Sequence, residues 1–123
     1  MHLFLGNIFG NVAFQSAYEK GEEWLEQLLK YLRENIRYVS DYLEKHIPVI
    51  KTRKPEGTFL MWLDFSETGL THEQIKNKLI HEAGLALNDG LSFGQGGEFF
   101  FRMNIATPKA NLTQALEKLR IFT

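Results

Sequence analysis

The sequence predicts an α+β fold, in which helices cover a small, mostly antiparallel sheet. Three observations support this class: one long stretch repeats apolar residues at helical spacing, several short runs are rich in β-forming residues, and helical and strand patterns are interspersed along the chain. The 123 residues are enough for one ordinary domain, and an apolar fraction of 44% is enough for a packed core.

The first predicted helix begins near Asn11, a residue type that caps helix N-termini, and continues as far as Gly21, which ends or kinks it. Before this helix, Met1–Gly10 is apolar and glycine-rich and reads as an internal segment of a longer chain rather than as a signal peptide. The tail and the first helix have no obvious place in a compact α+β unit, which indicates that something larger is missing.

The second helix is predicted from about Glu22 to His46, with an acidic first turn and a basic last turn that suit the helix dipole. Pro48 marks its end. Its apolar residues recur three and four positions apart. They are Trp24, Leu25, Leu28, Leu29, Leu32, Ile36, Val39, Tyr42 and Leu43.

Four strands are predicted, at Val49–Arg53, Thr58–Phe65, Leu85–Leu87 and Phe99–Ile105. The second strand is apolar on both faces, which predicts a central position in the sheet. Lys54–Gly57 has the composition of a turn.

Two further helices complete the pattern. One opens at Thr71 with a capping box closed by Gln74 and ends at Gly84. The last helix is predicted over Lys109–Ile121.

Composition excludes several classes of function. A formal net charge of −1 provides no basic field for nucleic acid, and no apolar run is long enough to span a bilayer. The absence of cysteine removes disulfides and thiolate chemistry and suits the cytoplasm. We therefore expect a cytoplasmic protein without nucleic-acid or membrane partners.

The four histidines do not form a metal motif. His2, His46, His72 and His81 show no H-x-x-x-H spacing and no evident carboxylate partner, so we interpret them as solvated surface residues and expect no metal site. No self-contained catalytic group is evident either.

Two candidates for ligand binding remain. The Gly-rich loop within Asn88–Gly97 either presents backbone N–H groups to an anion or is a long connection near a ligand. Arg102 lies inside an apolar strand, where an unpaired guanidinium is costly to bury, so it either reaches out from a sheet edge or meets a carboxylate. The partner is either internal, Asp64 or Glu98, or the carboxylate of a ligand.

Three stretches resemble one enzyme family. The stretches are Lys54–Phe65, the pair Leu87–Gly94 and Phe101–Pro108, and the helical entry made of Asn7–Gly10 with Ala17–Leu25. They are similar, in the right order, to segments in the C-terminal part of pyridoxal-phosphate (PLP) dependent fold-type-I enzymes. The similarity is greatest to the MalY/PatB-like cystathionine β-lyase (C–S lyase) branch, and it covers nearly the whole chain. The resemblance implies that residues 1–21 are the N-terminal segment and helix left from the junction with the large domain, and that residues 22–123 are the C-terminal small domain.

The resemblance implies specific roles. The arginine that matches Arg102 binds the substrate α-carboxylate in this family, and residues that match Gly57, Ser92 and Phe93 line the substrate pocket. The implied reaction is α,β-elimination on an amino acid such as cystathionine or cysteine, with transamination as the close alternative.

The resemblance also implies what the chain lacks. In this family the Schiff-base lysine and the groups that hold PLP belong to the large domain. We therefore expect PLP only in the full-length enzyme, which is expected to be a homodimer, and we expect the 123-residue chain to bind no PLP covalently and to be inactive alone. The alternative is a non-catalytic α+β ligand-binding or interaction domain, with Arg102 in a structural ion pair.

Overall fold

The computed structural model describes residues 6–123 and has an α+β architecture. The four α-helices of the described chain are α1 (Ile8–Lys20), α2 (Glu22–His46), α3 (His72–Asn77) and α4 (Lys109–Leu119). The expectation about the chain start concerns residues that lie partly outside the described range. None of the helices in residues 6–123 is long and apolar enough to cross a membrane.

The four strands are β1 (Lys51–Thr52), β2 (Leu60–Asp64), β3 (Asn88–Asp89) and β4 (Phe100–Asn104). They form one sheet in the order β1-β2-β4-β3, and every neighbouring pair is antiparallel. The predicted fold class, a small antiparallel sheet with helices preceded by a long helix, is confirmed, and β2 is central as expected.

The local signals that predicted α2 and α3 are present in the structure. α2 has the predicted bounds, and α3 begins with a complete capping box between Thr71 and Gln74. α3 then continues as one π-helical segment, Lys78–Glu82, before Gly84 adopts a positive φ of 61°.

Two predicted element positions are wrong. The first helix is capped by Asn7, whose Oδ1 accepts a hydrogen bond of 2.7 Å from the Gly10 N–H, and not by Asn11. The third strand is Asn88–Asp89 rather than Leu85–Leu87, because these two residues are the ones that pair with β4.

The chain forms two compact units that divide within α2, after Tyr31. In the first unit, α1 buries none of its side chains, and several large apolar residues are exposed. They are Ile8, Phe9, Val12, Phe14, Tyr18, Trp24, Leu25 and Leu29. The apolar pattern of α2 therefore predicts its buried face only from Leu32 onward. The proposed domain boundary after residue 21 stays a prediction.

The second unit contains the core. Leu43, Leu63, Ile75, Phe101 and Leu116 contribute buried side chains from α2, β2, α3, β4 and α4, respectively. Because side chains alternate along a strand, β2 and β4 turn one set of residues toward this core and the other set away from it. The outward set forms the opposite side of the sheet.

Buried Asn35 ties α2 to the segment after β4. It is 1% exposed, and its amide donates to the carbonyl oxygens of Ile105 at 2.9 Å and Thr107 at 3.2 Å. A buried amide is stable only when such partners are present. The sequence pattern predicted that the neighbouring apolar residues of α2 are buried, but it did not predict the burial of Asn35.

Candidate functional site

The side of the sheet that faces away from the core, hereafter the open face, carries the candidate site. Its β2 and β4 residues are Leu60, Trp62, Asp64, Phe100, Arg102 and Asn104, all only partly buried or exposed. A cleft of about 870 Å³ lies on this face, and its lining includes Trp62, Phe93 and Phe100. Although β2 is central in the sheet, Trp62 is 38% exposed on this face.

Arg102 lies in the middle of the open face, between two strands. The register places Trp62 of β2 on one side and Asn88 of β3 on the other. Its Nη2 donates to Asn88 Oδ1 at 3.3 Å, and its Cζ lies 4.4 Å from the centroid of the Phe93 ring. Its Nε is buried and has no hydrogen-bond partner.

The internal ion pair considered for Arg102 does not occur within residues 6–123. Asp64 Oδ1 accepts instead from the Ser66 N–H at 2.9 Å, and none of the ion pairs of this part of the chain includes Arg102. The guanidinium therefore contacts one neutral amide and one aromatic ring, and most of its five N–H donors have no partner within residues 6–123.

The other predicted site residues are placed differently. Phe93 contacts Arg102 and lines the cleft. Ser92 Oγ instead donates to the Asp89 carbonyl at 2.6 Å, and Gly57 lies before β2, with open space around the position of a Cβ and beside Thr58, which has a positive φ of 66°. Their roles in lining a substrate pocket stay predictions.

The Gly-rich loop has a packing requirement that the sequence did not reveal. A Cβ on Gly90 would collide with the carbonyl oxygens of Gly97 and Phe100, and a Cβ on Gly97 would collide with the Gly90 backbone. The two ends of the loop therefore cross closely enough to require glycine at both positions. This crossing fixes the 3₁₀ turn Gly90–Phe93 beside β4.

His72 is not the solvated surface residue that we expected. Its side chain is 12% exposed, and its Nε2 lies 3.1 Å from Asp89 Oδ2. Its Nδ1 lies 2.6 Å from the Glu98 carbonyl oxygen, and its ring stacks on Phe101 with centroids 5.4 Å apart. Residues 72 and 89 are 17 positions apart and on different elements, so no local sequence signal could have paired them.

Several hydrogen-bond donors lie around the Asp89 carboxylate. Oδ1 accepts from the Leu91 N–H at 3.0 Å, and Oδ2 lies 3.3 Å from Lys76 Nζ as well as near His72. Burial raises the pKa of Asp89, but the hydrogen bonds from Leu91, Lys76 and His72 outweigh that effect and leave the pKa below its ordinary value. Asp89 is therefore a carboxylate at neutral pH.

Within residues 6–123, no three histidine or acidic side chains converge in a way that could hold a metal ion. What the described site offers is the guanidinium of Arg102, without an anionic partner within residues 6–123 and beside the Phe93 ring.

Comparison with known proteins gives the site a family context. No family model matches the chain. Cystathionine β-lyase PatB of Bacillus subtilis is 32% identical over 114 residues, which are 93% of this chain and 30% of PatB. A PLP-bound aminotransferase candidate from Clostridium difficile superposes with a TM-score of 0.90 at 42% identity, over 94% of this chain and 30% of that chain. Cystalysin of Treponema denticola, which contains PLP, superposes with a TM-score of 0.88 at 33% identity, over 94% and 29%.

These matches confirm the resemblance. The chain is homologous to MalY/PatB-type cystathionine β-lyases over about 90% of its length, and it corresponds to the C-terminal part of PLP-dependent C–S lyases and aminotransferases. It spans about 30% of the length of the curated relatives that it matches.

Proposed function

We propose that this chain is the substrate-carboxylate-binding small domain of a PLP-dependent C–S β-lyase, or of an aminotransferase of the same fold. One observation carries the proposal: Arg102 lies on an open sheet face with a buried, unpartnered Nε and no anionic partner within residues 6–123. The homologous C–S lyases and aminotransferases supply the enzyme class.

The surroundings of Arg102 favour a carboxylate ligand. A planar guanidinium binds a carboxylate through two parallel N–H···O bonds, and these bonds are stronger where water is excluded. The Phe93 ring stacks against the cation without competing for its donors. Binding the α-carboxylate here would fix the orientation of an amino acid, and Gly57 and Ser92 would lie along the same pocket.

We do not expect the described residues to make a PLP site by themselves. Two lysines line the cleft, but Lys51 is paired with Glu67 at 3.2 Å, and Lys54 lies in an exposed turn. In the proposed enzyme PLP acts as an electron sink for elimination or transamination. We place its binding groups and its lysine in the large domain, so the 123-residue chain is expected to be inactive with PLP and cystathionine.

The proposed partner of the chain is that large PLP-binding domain. The exposed apolar residues of the first unit support this choice, because a large exposed apolar patch marks an interaction surface. Val12 of α1 is 61% exposed, and Trp24 at the start of α2 is 68% exposed. The homodimer and the cytoplasmic location stay predictions for the intact enzyme.

Acetate titration tests the role of Arg102 in the chain itself. Acetate is a minimal carboxylate, and the indole N–H signal of Trp62, whose residue pairs with Arg102 across the strands, reports binding. A Trp24→Phe background identifies that signal. We expect a saturable shift that is lost in Arg102→Gln and reduced in Arg102→Lys, which keeps the charge but not the planar fork.

Arg37→Gln is the matched control, because Arg37 lies on α2 with an exposed side chain. It should bind acetate like the wild type. An Arg102→Gln variant that binds acetate as tightly as Arg37→Gln would contradict the proposal, and so would a wild-type chain that shows no saturable shift. Thermal unfolding of each variant checks that the fold is retained, and Arg102→Lys provides the second test if Arg102→Gln does not fold.

A further inference from the structure

The short segment from Asn88 to Phe93 contacts Arg102 at both of its ends. Asn88 accepts the one hydrogen bond that the guanidinium makes within residues 6–123, and Phe93 supplies the ring that lies against it. Phe93 also meets Trp62 edge-on, with centroids 5.3 Å apart. The position of this segment therefore decides where the guanidinium points.

Asp89 holds the segment through both its side chain and its backbone. Its carboxylate caps the 3₁₀ turn through the Leu91 N–H, and its carbonyl oxygen accepts from Ser92 Oγ. It is also one of only two β3 residues, opposite Phe101 in the register. Asp89 thus sits between the residue that binds Arg102 and the turn that carries Phe93.

α3 fixes Asp89 from outside the loop. His72 and Lys76, one turn apart on α3, both approach Asp89 Oδ2, at 3.1 and 3.3 Å. His72 is itself held by the Glu98 carbonyl and by stacking on Phe101. Both ring nitrogens of His72 face oxygen acceptors, so both hydrogen bonds form together only when the ring carries two protons.

We infer that Asp89, held by His72 and Lys76, is a positioning residue that sets the carboxylate affinity of Arg102. This inference rests on the proposed function of Arg102 and extends it to residues outside the carboxylate-binding contact. Asp89 does not touch the ligand. It holds Asn88 and Phe93 so that the guanidinium presents its free N–H donors to a carboxylate.

The effect on acetate binding distinguishes positioning from simple charge. Asp89→Asn keeps an oxygen that can cap Leu91 but loses the carboxylate that attracts His72 and Lys76. If only net charge mattered, removing a negative charge near a cationic site would strengthen acetate binding. Positioning predicts the opposite sign, a dissociation constant for acetate that rises about threefold to tenfold, as for the loss of one supporting hydrogen bond.

Matched controls separate this effect from charge and from stability. Asp41→Asn removes the same charge from an exposed position on α2, and it should not weaken acetate binding. His72→Gln should act like Asp89→Asn, whereas His81→Gln, at an exposed position, should not. Ile75→Val removes one methylene from a buried α3 residue, so it should lower stability and leave the acetate dissociation constant unchanged.

The Trp62 indole signal gives a second readout that needs no ligand. It should shift in Asp89→Asn and His72→Gln before acetate is added, because Phe93 and Arg102 both lie beside Trp62. If the wild type binds acetate through Arg102 and both variants bind it equally well, the positioning role is overturned and the proposed function stands. If the wild type does not bind acetate, both are overturned.

Discussion

The two faces of the sheet are made by the same two central strands, but their side chains differ in burial and in whether their polar groups have partners. On the core face, the side chains of β2 and β4 are at most 4% exposed, and Phe101 packs between Phe65 and the His72 ring. On the open face, Trp62 is 38% exposed, and Arg102 has no anionic partner within residues 6–123. The comparison indicates that the core face supplies stability, whereas the open face leaves a cation without an anionic partner, which is the basis of the proposed recognition of a carboxylate.

The largest expected effect tests that contrast with one aromatic residue from each face. Phe101→Ala should lower the free energy of unfolding by about 3–5 kcal/mol, because it leaves a cavity in the core. Trp62→Ala should cost only about 1–2 kcal/mol, since much of its surface is already exposed. Urea denaturation measures both, and equal losses would mean that the open face is as important for stability as the core face.

A second prediction concerns the polar contact that anchors the chain after β4. Asn35→Ala should lower the free energy of unfolding by roughly 1–3 kcal/mol, because two backbone carbonyl oxygens lose their donor. Glu34→Ala, at the neighbouring exposed position of the same helix, is the control and should have little effect. Similar small losses for both variants would argue against a structural role for the buried amide.

The smallest expected effect is a pH dependence contributed by Asp89. Its pKa is lowered in the folded chain, so its ionised form stabilises the fold at pH values above the ordinary Asp value of 3.8. This contribution should disappear as the pH falls through the lowered pKa. The free energy of unfolding, measured between about pH 6 and pH 2, should fall less steeply toward acid pH in Asp89→Asn than in Asp41→Asn. Identical slopes would show that Asp89 gains nothing from its three donors.

The sequence predicted elements whose signals are local. α2 combines a helical repeat with an acidic start, a basic end and a proline beyond it, and α3 begins with a capping box, so both starts were predicted correctly. The cap of α1 was wrong because Asn7 and Asn11 are chemically equivalent in sequence, and only the hydrogen bond to Gly10 distinguishes them.

Features that depend on tertiary pairing could not be predicted in the same way. β3 was misplaced because Asn88 and Asp89 are poor strand formers, and their pairing with β4 overrides that preference. The outward side of Trp62 was not evident because Leu60 and Trp62 are as apolar as the inward Met61 and Leu63, and only Asp64 marks their set as the outward one. The sequence did predict Arg102 as a candidate site residue, because a cation inside an apolar strand is unusual. The contact of His72 with Asp89, in contrast, exists only in the folded chain.

Steady-state kinetics test the central claim most directly, in the PLP-dependent enzyme of which we propose this chain to be the small domain. Arg102→Ala should raise KM for the amino-acid substrate by an amount equivalent to roughly 2–5 kcal/mol, because one member of a paired, partly buried charge contact is lost. Arg37→Ala should leave KM unchanged. An Arg102→Ala enzyme with the KM of the wild type would contradict the assignment of Arg102 as the carboxylate-binding residue.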